Sequence, residues 1–272
     1  MSSLHKISVS AFFSFLCLAL YGGNPYHPVA GAGEAGTGYV CIMKNSFWSS
    51  FHNQANLAGS KSLSLGLNYE NRYGIKELGT RTAGITIPAG KTSLGAVYSY
   101  FGYPEFRKEM AGIACGLKLC TRITAGVQVD YFSEKTSGEY TDHRYLTCEA
   151  GFIITPSESL SMGIHVFNPV PESISRSGLP SILRVGVGNR LSKALFAGIE
   201  TEMSTGSKLI IRTGFEYETL KMLWLRGGFS TDNTSFSFGI GFRMRLVKID
   251  LGFATHEKLG VTSSASLIFQ IK

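Results

Sequence analysis

The sequence is short of the features that several protein classes require. Charged residues make up 17% of its 272 positions and proline only 8 positions. With 44% hydrophobic residues, it is too apolar for a disordered chain. Beyond the N-terminus, no apolar run is long enough to form a membrane-spanning helix. Cysteines are few and irregularly spaced, with no C-x-x-C pair, which argues against a zinc site. Cys41, Cys115, Cys120 and Cys148 read as small apolar side chains, with a disulfide open to them in an oxidising compartment. A lipid-modifying enzyme would need a nucleophile beside a histidine, or a G-x-S-x-G elbow, and neither pattern occurs. No catalytic residue, cofactor or metal is therefore expected. The formal net charge is +7, but Lys and Arg are scattered singly. A nucleic-acid binder would gather them in a patch or stripe.

What the chain does have begins at its N-terminus. His5 and Lys6 precede an apolar run from Ile7 to Leu20, and small residues follow at Gly22 and Gly23. Charged start, short apolar core and small-residue exit is the layout of a secretory signal. We expect a signal peptide over residues 1–22, cleaved near Tyr21 to Gly23, with Ala30-Gly31-Ala32 as a weaker cleavage point. Cys17 lacks the small residues that a lipid-attachment site places just before its cysteine.

From Lys61 onward the sequence alternates. Phe236, Phe238, Ile240, Phe242 and Met244 fall on one parity, and Ser235, Ser237, Gly239, Gly241 and Arg243 on the other. Only a strand, with its period of two, separates such sets. Leu63, Leu65, Leu67 and Tyr69 repeat the pattern, as do Ile123 to Tyr131, Leu209 to Tyr217, Val247 to Phe253 and Val261 to Ile271. About fourteen segments of this kind fit between turn signals. Longer connections, at Glu70–Gly79, Gly102–Phe106, Ser133–Asp142 and Asn168–Pro180, alternate with short ones. That asymmetry, with an even strand count, predicts an all-β fold: a transmembrane antiparallel β-barrel over residues 61–272 with both termini on the periplasmic side. Tyr69, Tyr98, Tyr100, Tyr131, Tyr145 and Phe253 would form an aromatic girdle near the outer strand ends. A soluble β-sandwich also alternates, but it would show a solvated edge strand. A barrel closes its edges, as lipid demands.

The inward parity carries charge of both signs. Arg184, Arg190, Arg212, Arg226, Arg243, Arg245 and Lys248 face Glu200, Glu202, Glu216 and Asp250, with Asp130 and Glu149 nearby. An ion-selective pore would show a bias of sign. Near balance predicts neutralising pairs that fill and stiffen the lumen. Fourteen strands enclose more space than wall side chains fill. The segment before the first strand, within residues 23–60, is the candidate occupant. Gly31-Ala32-Gly33-Glu34-Ala35-Gly36 matches a dinucleotide fingerprint only by chance, since no strand precedes it and no βαβ unit follows. Phe47, Trp48, Phe51, His52 and Asn53 are its candidate binding residues. For Trp48 and Phe51, packing against the wall is the simpler role, and for Asn53, capping a short helix or turn.

The Gly/Ala-rich lead, then Phe47-Trp48-Ser49, then Phe51-His52-Asn53-Gln54-Ala55-Asn56-Leu57-Ala58, resembles the N-terminal hatch of the FadL and PorV/PorQ superfamily of outer-membrane barrels. Gln54 stands where that pattern has Pro, and Asn56 where it has Gly. Leu179 to Gly186 and Ile249 to Gly260 resemble the family's mid-barrel strand and last hairpin, and short members from Bacteroidetes-type bacteria are the nearest in form. The chain departs from the family by ending Phe269-Gln270-Ile271-Lys272 rather than on an aromatic residue. The resemblance implies a fourteen-stranded outer-membrane barrel of a Gram-negative bacterium with the N-terminal hatch inside its lumen. It also implies two functions. The first expectation is a PorV/PorQ-like accessory of type IX secretion or surface attachment, meeting secretion-system or surface-exported proteins. The alternative is FadL-like transport of a hydrophobic small molecule. Lipid is the expected neighbour in both cases.

Overall fold

A computed structural model describes residues 29–136, 142–170 and 179–271. The expected signal peptide, its cleavage point near Tyr21 to Gly23 and the first residues of the expected hatch lie outside these residues, as do parts of two connections; the weaker cleavage point, Ala30-Gly31-Ala32, lies within them. Fourteen strands run in chain order: β1 Leu63–Asn71, β2 Gly79–Ala89, β3 Thr92–Tyr103, β4 Phe106–Lys118, β5 Ile123–Thr136, β6 His143–Ile154 and β7 Leu160–Phe167. They continue as β8 Ile182–Arg190, β9 Leu195–Ser204, β10 Ile210–Leu220, β11 Leu223–Ser230, β12 Ser235–Met244, β13 Val247–His256 and β14 Gly260–Ile271. Each strand pairs antiparallel with its sequence neighbours. β1 closes the ring against β14, in register from Leu63 opposite Ile271 to Asn71 opposite Ser263. The sheet has no edge, so no ladder is left with unpaired N–H and C=O groups.

Burial alternates along the strands, but inside out. On β1, Leu65, Leu67 and Tyr69 are exposed while Ser64, Asn68 and Glu70 are buried. Ile113 is 73% exposed and Leu146 71%. Such a wall, apolar all round its outer face, would be a liability in water and is what the hydrocarbon of a bilayer requires of a barrel. No described helix is long and apolar enough to cross a membrane. The crossing elements are the strands.

Two local expectations are corrected. Gly102–Phe106 is not a long connection: Tyr103 pairs directly with Phe106, leaving Pro104-Glu105 as a tight turn, because Pro presets the turn dihedral. Tyr145 is half-buried and packs on the interior apolar cluster instead of standing free in an outer girdle. Tyr69, Tyr98, Tyr131 and Phe253 do face outward.

Before β1, the chain forms α1 (Ala32–Gly36) and two short 3₁₀ turns, Phe47–Phe51 and Gln54–Gly59. Nearly all residues from Ala30 to Leu57 are buried or half-buried. They lie against inward-facing positions around most of the barrel.

Candidate functional site

The lumen is built from two surfaces, the wall and the segment before β1, and glycine lets them meet. On the inward parity, Gly66 pairs with Gly84, Gly116 with Gly126, Gly126 with Gly151, and Gly163 with Gly186. Gly188, Gly198, Gly214 and Gly228 continue the row across four strands, and Gly239 pairs with Gly252. Together they form a belt of bare backbone. The segment's own backbone rests on it. A Cβ at Gly116 would sit 2.7 Å from the Ala58 nitrogen and from the Gln54 carbonyl. Gly36 of α1 meets Gly239 so closely that a Cβ on either would clash with the other's backbone.

Polar wall groups then fix the segment in register. Arg184 on β8 and Glu200 on β9 are both fully buried and ion-paired. Arg184 Nη2 donates to the Tyr39 carbonyl at 3.2 Å. Glu200 Oε2 accepts the Cys41 N–H at 3.1 Å and the Ile42 N–H at 3.3 Å. The pair thus holds three consecutive peptide units of the segment. At the adjoining strands β6 and β7, Gln54 Nε2 donates to Glu149 Oε2 at 2.6 Å, and His165 shares that oxygen at 2.8 Å. Lys44 pairs with Glu216 at 2.6 Å. Tyr39 donates its hydroxyl to Glu70 at 2.7 Å, and Ala32 N–H donates to Ser266 at 2.7 Å. The segment is tied within itself by Asn53 and Asn56, whose amides both donate to the Ile42 carbonyl at 2.9 and 3.0 Å.

Burial governs the titration of the segment's side chains. It pushes the His52 imidazole down to about 3, with the positive charge of Arg184 adding to the effect. His52 is therefore neutral, its Nε2 donating to the Ala30 carbonyl at 2.8 Å. Burial raises the Cys41 thiol and the Tyr39 phenol, Glu200 and Glu70 respectively reinforcing it. Burial also lowers the Lys44 ammonium, against the pull of Glu216.

Trp48 and Phe51 stand at 1% exposure in an apolar cluster with Val97, Met110, Phe132, Phe167 and Ile182 of the wall, and Phe47 meets Trp48 edge-on at 4.8 Å. One face of an otherwise polar lumen is thus aromatic and aliphatic. Smaller cavities flank the segment. One of about 260 Å³, at the end remote from the start of β1 and the end of β14, is lined by Tyr39, Glu70, Tyr73 and His256 among others. Cavities of about 180 and 310 Å³ lie toward the terminal end, the first beside Lys44, Trp224 and Arg243, the second beside Met43, Asn56 and Phe196.

Of the candidate binding residues, Phe47, Trp48 and Phe51 sit together in the apolar cluster, while His52 and Asn53 spend their side chains on Ala30 and Ile42. Of the candidate charge network, Arg184, Glu200, Glu202 and Arg212 form one connected group. Glu216, Arg226, Asp250 and Lys248 form a second. Arg190, Arg243 and Arg245 join neither; they are exposed at the terminal rim. Sequence reasoning passed over Tyr39, Lys44, Gln54 and Asn56. The only written signal for two of them was Gln54 and Asn56 replacing Pro and Gly in the hatch pattern.

No family model and no curated protein matches the sequence. Solved structures do resemble the fold. A toluene transporter of Ralstonia pickettii, TbuX, superimposes with a TM-score of 0.69 at 10% identity, over 90% of this chain and 99% of that one. A FadL homologue of Pseudomonas aeruginosa gives 0.66 at 12% identity, over 90% and 99%. The toluene transporter TodX of P. putida gives 0.66 at 10% identity, with the same coverage. The likeness is one of architecture: a fourteen-stranded closed barrel.

Proposed function

We propose that this chain sits in the outer membrane and admits hydrophobic small molecules, with the segment before β1 acting as the obstruction that must yield. The observation that carries the reading is the apolar face inside the lumen. A water-filled pore has no use for Val97, Met110, Phe132 and Phe167 on its inner wall, covered here by Trp48 and Phe51 of the segment, whereas a pathway for apolar cargo needs such a lining. The structural neighbours named as toluene transporters support the same class of cargo, and the signal-like N-terminus supports export. Uptake thereby takes precedence over the secretion-accessory role that the sequence placed first, because one face of the lumen is apolar and the neighbours are transporters.

Binding of N-phenylnaphthylamine to the purified, delipidated barrel tests the reading. Saturable fluorescence enhancement, competed by toluene and weakened by Phe132→Asp, is expected. No saturable binding would remove the apolar lining as a cargo site. A pull-down from gently solubilised membranes that returned stoichiometric secretion components would favour the accessory role instead.

A further inference from the structure

The two rims of the barrel differ in charge. At the rim remote from the start of β1 and the end of β14, signs are mixed, and three pairs form: Arg72 with Glu70, Arg107 with Glu109, and Lys108 with Glu134. At the opposite rim, where β1 starts and β14 ends (the terminal rim), cations dominate. Lys91 lies in the β2–β3 turn, and Lys118 and Arg122 flank the β4–β5 turn. Arg190 and Lys193 hold the β8–β9 turn, Lys221 the β10–β11 turn, and Arg245 the β12–β13 turn. All are exposed, and none has a carboxylate within ion-pair distance among the described residues. Among the described residues, Glu158 in the β6–β7 turn and Glu218 near the end of β10 oppose them.

A second pattern is superimposed on the first. The cations adjoin exposed apolar side chains: Lys118 stands beside Leu119, Arg190 beside Leu191, Lys221 between Leu220 and Met222, and Arg245 between Met244 and Leu246. Leu119 and Leu191 continue the outward parity of β4 and β8, so they extend the lipid-facing wall into the turns. An acidic protein docking on the barrel end would select for the charges and leave such residues in water. A leaflet carrying negative headgroups accommodates both, taking the apolar side chains at the acyl boundary and the cations at the phosphates. The cations are also spread over five separate turns round the circumference and not gathered on one side.

We infer that the terminal rim is a binding surface for the phosphate groups of anionic phospholipids in the leaflet that it faces. The inference does not depend on what the barrel carries. The delipidated full-length protein is equilibrated with mixed micelles of equimolar phosphatidylglycerol and phosphatidylcholine, and the retained lipid is measured by native mass spectrometry. Phosphatidylglycerol is expected in at least about tenfold excess at low salt, falling as salt screens the rim. The triple variant Lys118→Gln, Arg190→Gln, Lys221→Gln is expected to bring the excess below about threefold. A charge-matched control on the opposite rim, Lys76→Gln, Lys208→Gln, Lys258→Gln, keeps it. Heat-modifiable migration on gels verifies that each variant is folded. Equal retention of the two lipids, or equal loss in both variants, overturns the inference. So does a rim variant that retains phosphatidylglycerol but loses binding of poly-aspartate, which would assign the surface to an acidic protein.

Discussion

Replacing Glu200 by Gln keeps the size of the side chain and removes the charge at the centre of the clamp on the N-terminal segment. Glu200 neutralises Arg184 and accepts two N–H groups of the segment. Glu202, at 3.8 Å from Arg184, can compensate only in part. Removing one partner of a buried ion pair costs about 3–5 kcal/mol; with the second carboxylate near, we take about 3 kcal/mol. At about 1.4 kcal/mol per factor of ten, the open population of the segment rises about a hundredfold. Cys41 reports it directly. Its thiol is buried inside the clamp, 3.4 Å from the Tyr39 carbonyl, and burial raises its pKa, so the closed form is unreactive. In a background where Cys17, Cys115, Cys120 and Cys148 are replaced by Ser, maleimide labelling of Cys41 should accelerate about a hundredfold in Glu200→Gln. It should be unchanged in Glu218→Gln at the rim. Acceleration of less than about threefold would refute the clamp.

Other consequences follow from the same packing. Gly126→Val places a branched side chain where Gln54 and Ala55 backbone now lies; overpacking of this kind costs about 1–3 kcal/mol, and proteolytic clipping before β1 in the folded barrel should increase. Neutral His52 makes stability depend on pH: the unfolded imidazole takes up a proton below about 6.5 while the folded one resists until about 3, so stability is retained above that window and lost as pH falls through it. At pH 5 the loss is about 2 kcal/mol, and His52→Gln should flatten the difference in urea unfolding between pH 7 and pH 5. Phe238→Arg puts a charge on the lipid face, where Phe238 is 60% exposed, and should cost about 2–4 kcal/mol in folding into bilayers; Ser237→Arg, on the inward parity, would not meet lipid.

The wall was legible because alternation is a local signal. Phe236 to Met244 declares its faces without reference to any other strand, and the same holds for Leu63 to Tyr69. Turn lengths were less legible: Pro104-Glu105 reads as an open loop until Tyr103 is seen opposite Phe106. The interior was the least legible, because its contacts join residues far apart in sequence. Arg184 and Glu200 are 16 positions apart and meet only when the β8–β9 register is known. Gln54 and Glu149 are separated by 95. Two clues were nonetheless written in the chain. Glycine recurs on the inward parity of strand after strand, which marks where another backbone approaches. Gln54 and Asn56 supply the side-chain amides that tie the segment to Glu149 of the wall and to its own Ile42 carbonyl, which the Pro and Gly of the hatch pattern could not.

The most direct test of the account is uptake measured with the segment free and locked. The Ala32 N–H donates to Ser266 Oγ at 2.7 Å, so two non-glycine positions of the segment and the wall stand side by side, as a disulfide requires. The pair Ala32→Cys and Ser266→Cys, with the native cysteines replaced, should therefore bridge on oxidation. Entry of radiolabelled toluene into cells carrying this variant should be rapid after reduction and fall to the level of cells without the barrel after oxidation. Equal uptake in both states would show that the segment is not the obstruction, and no uptake in either would contradict transport itself.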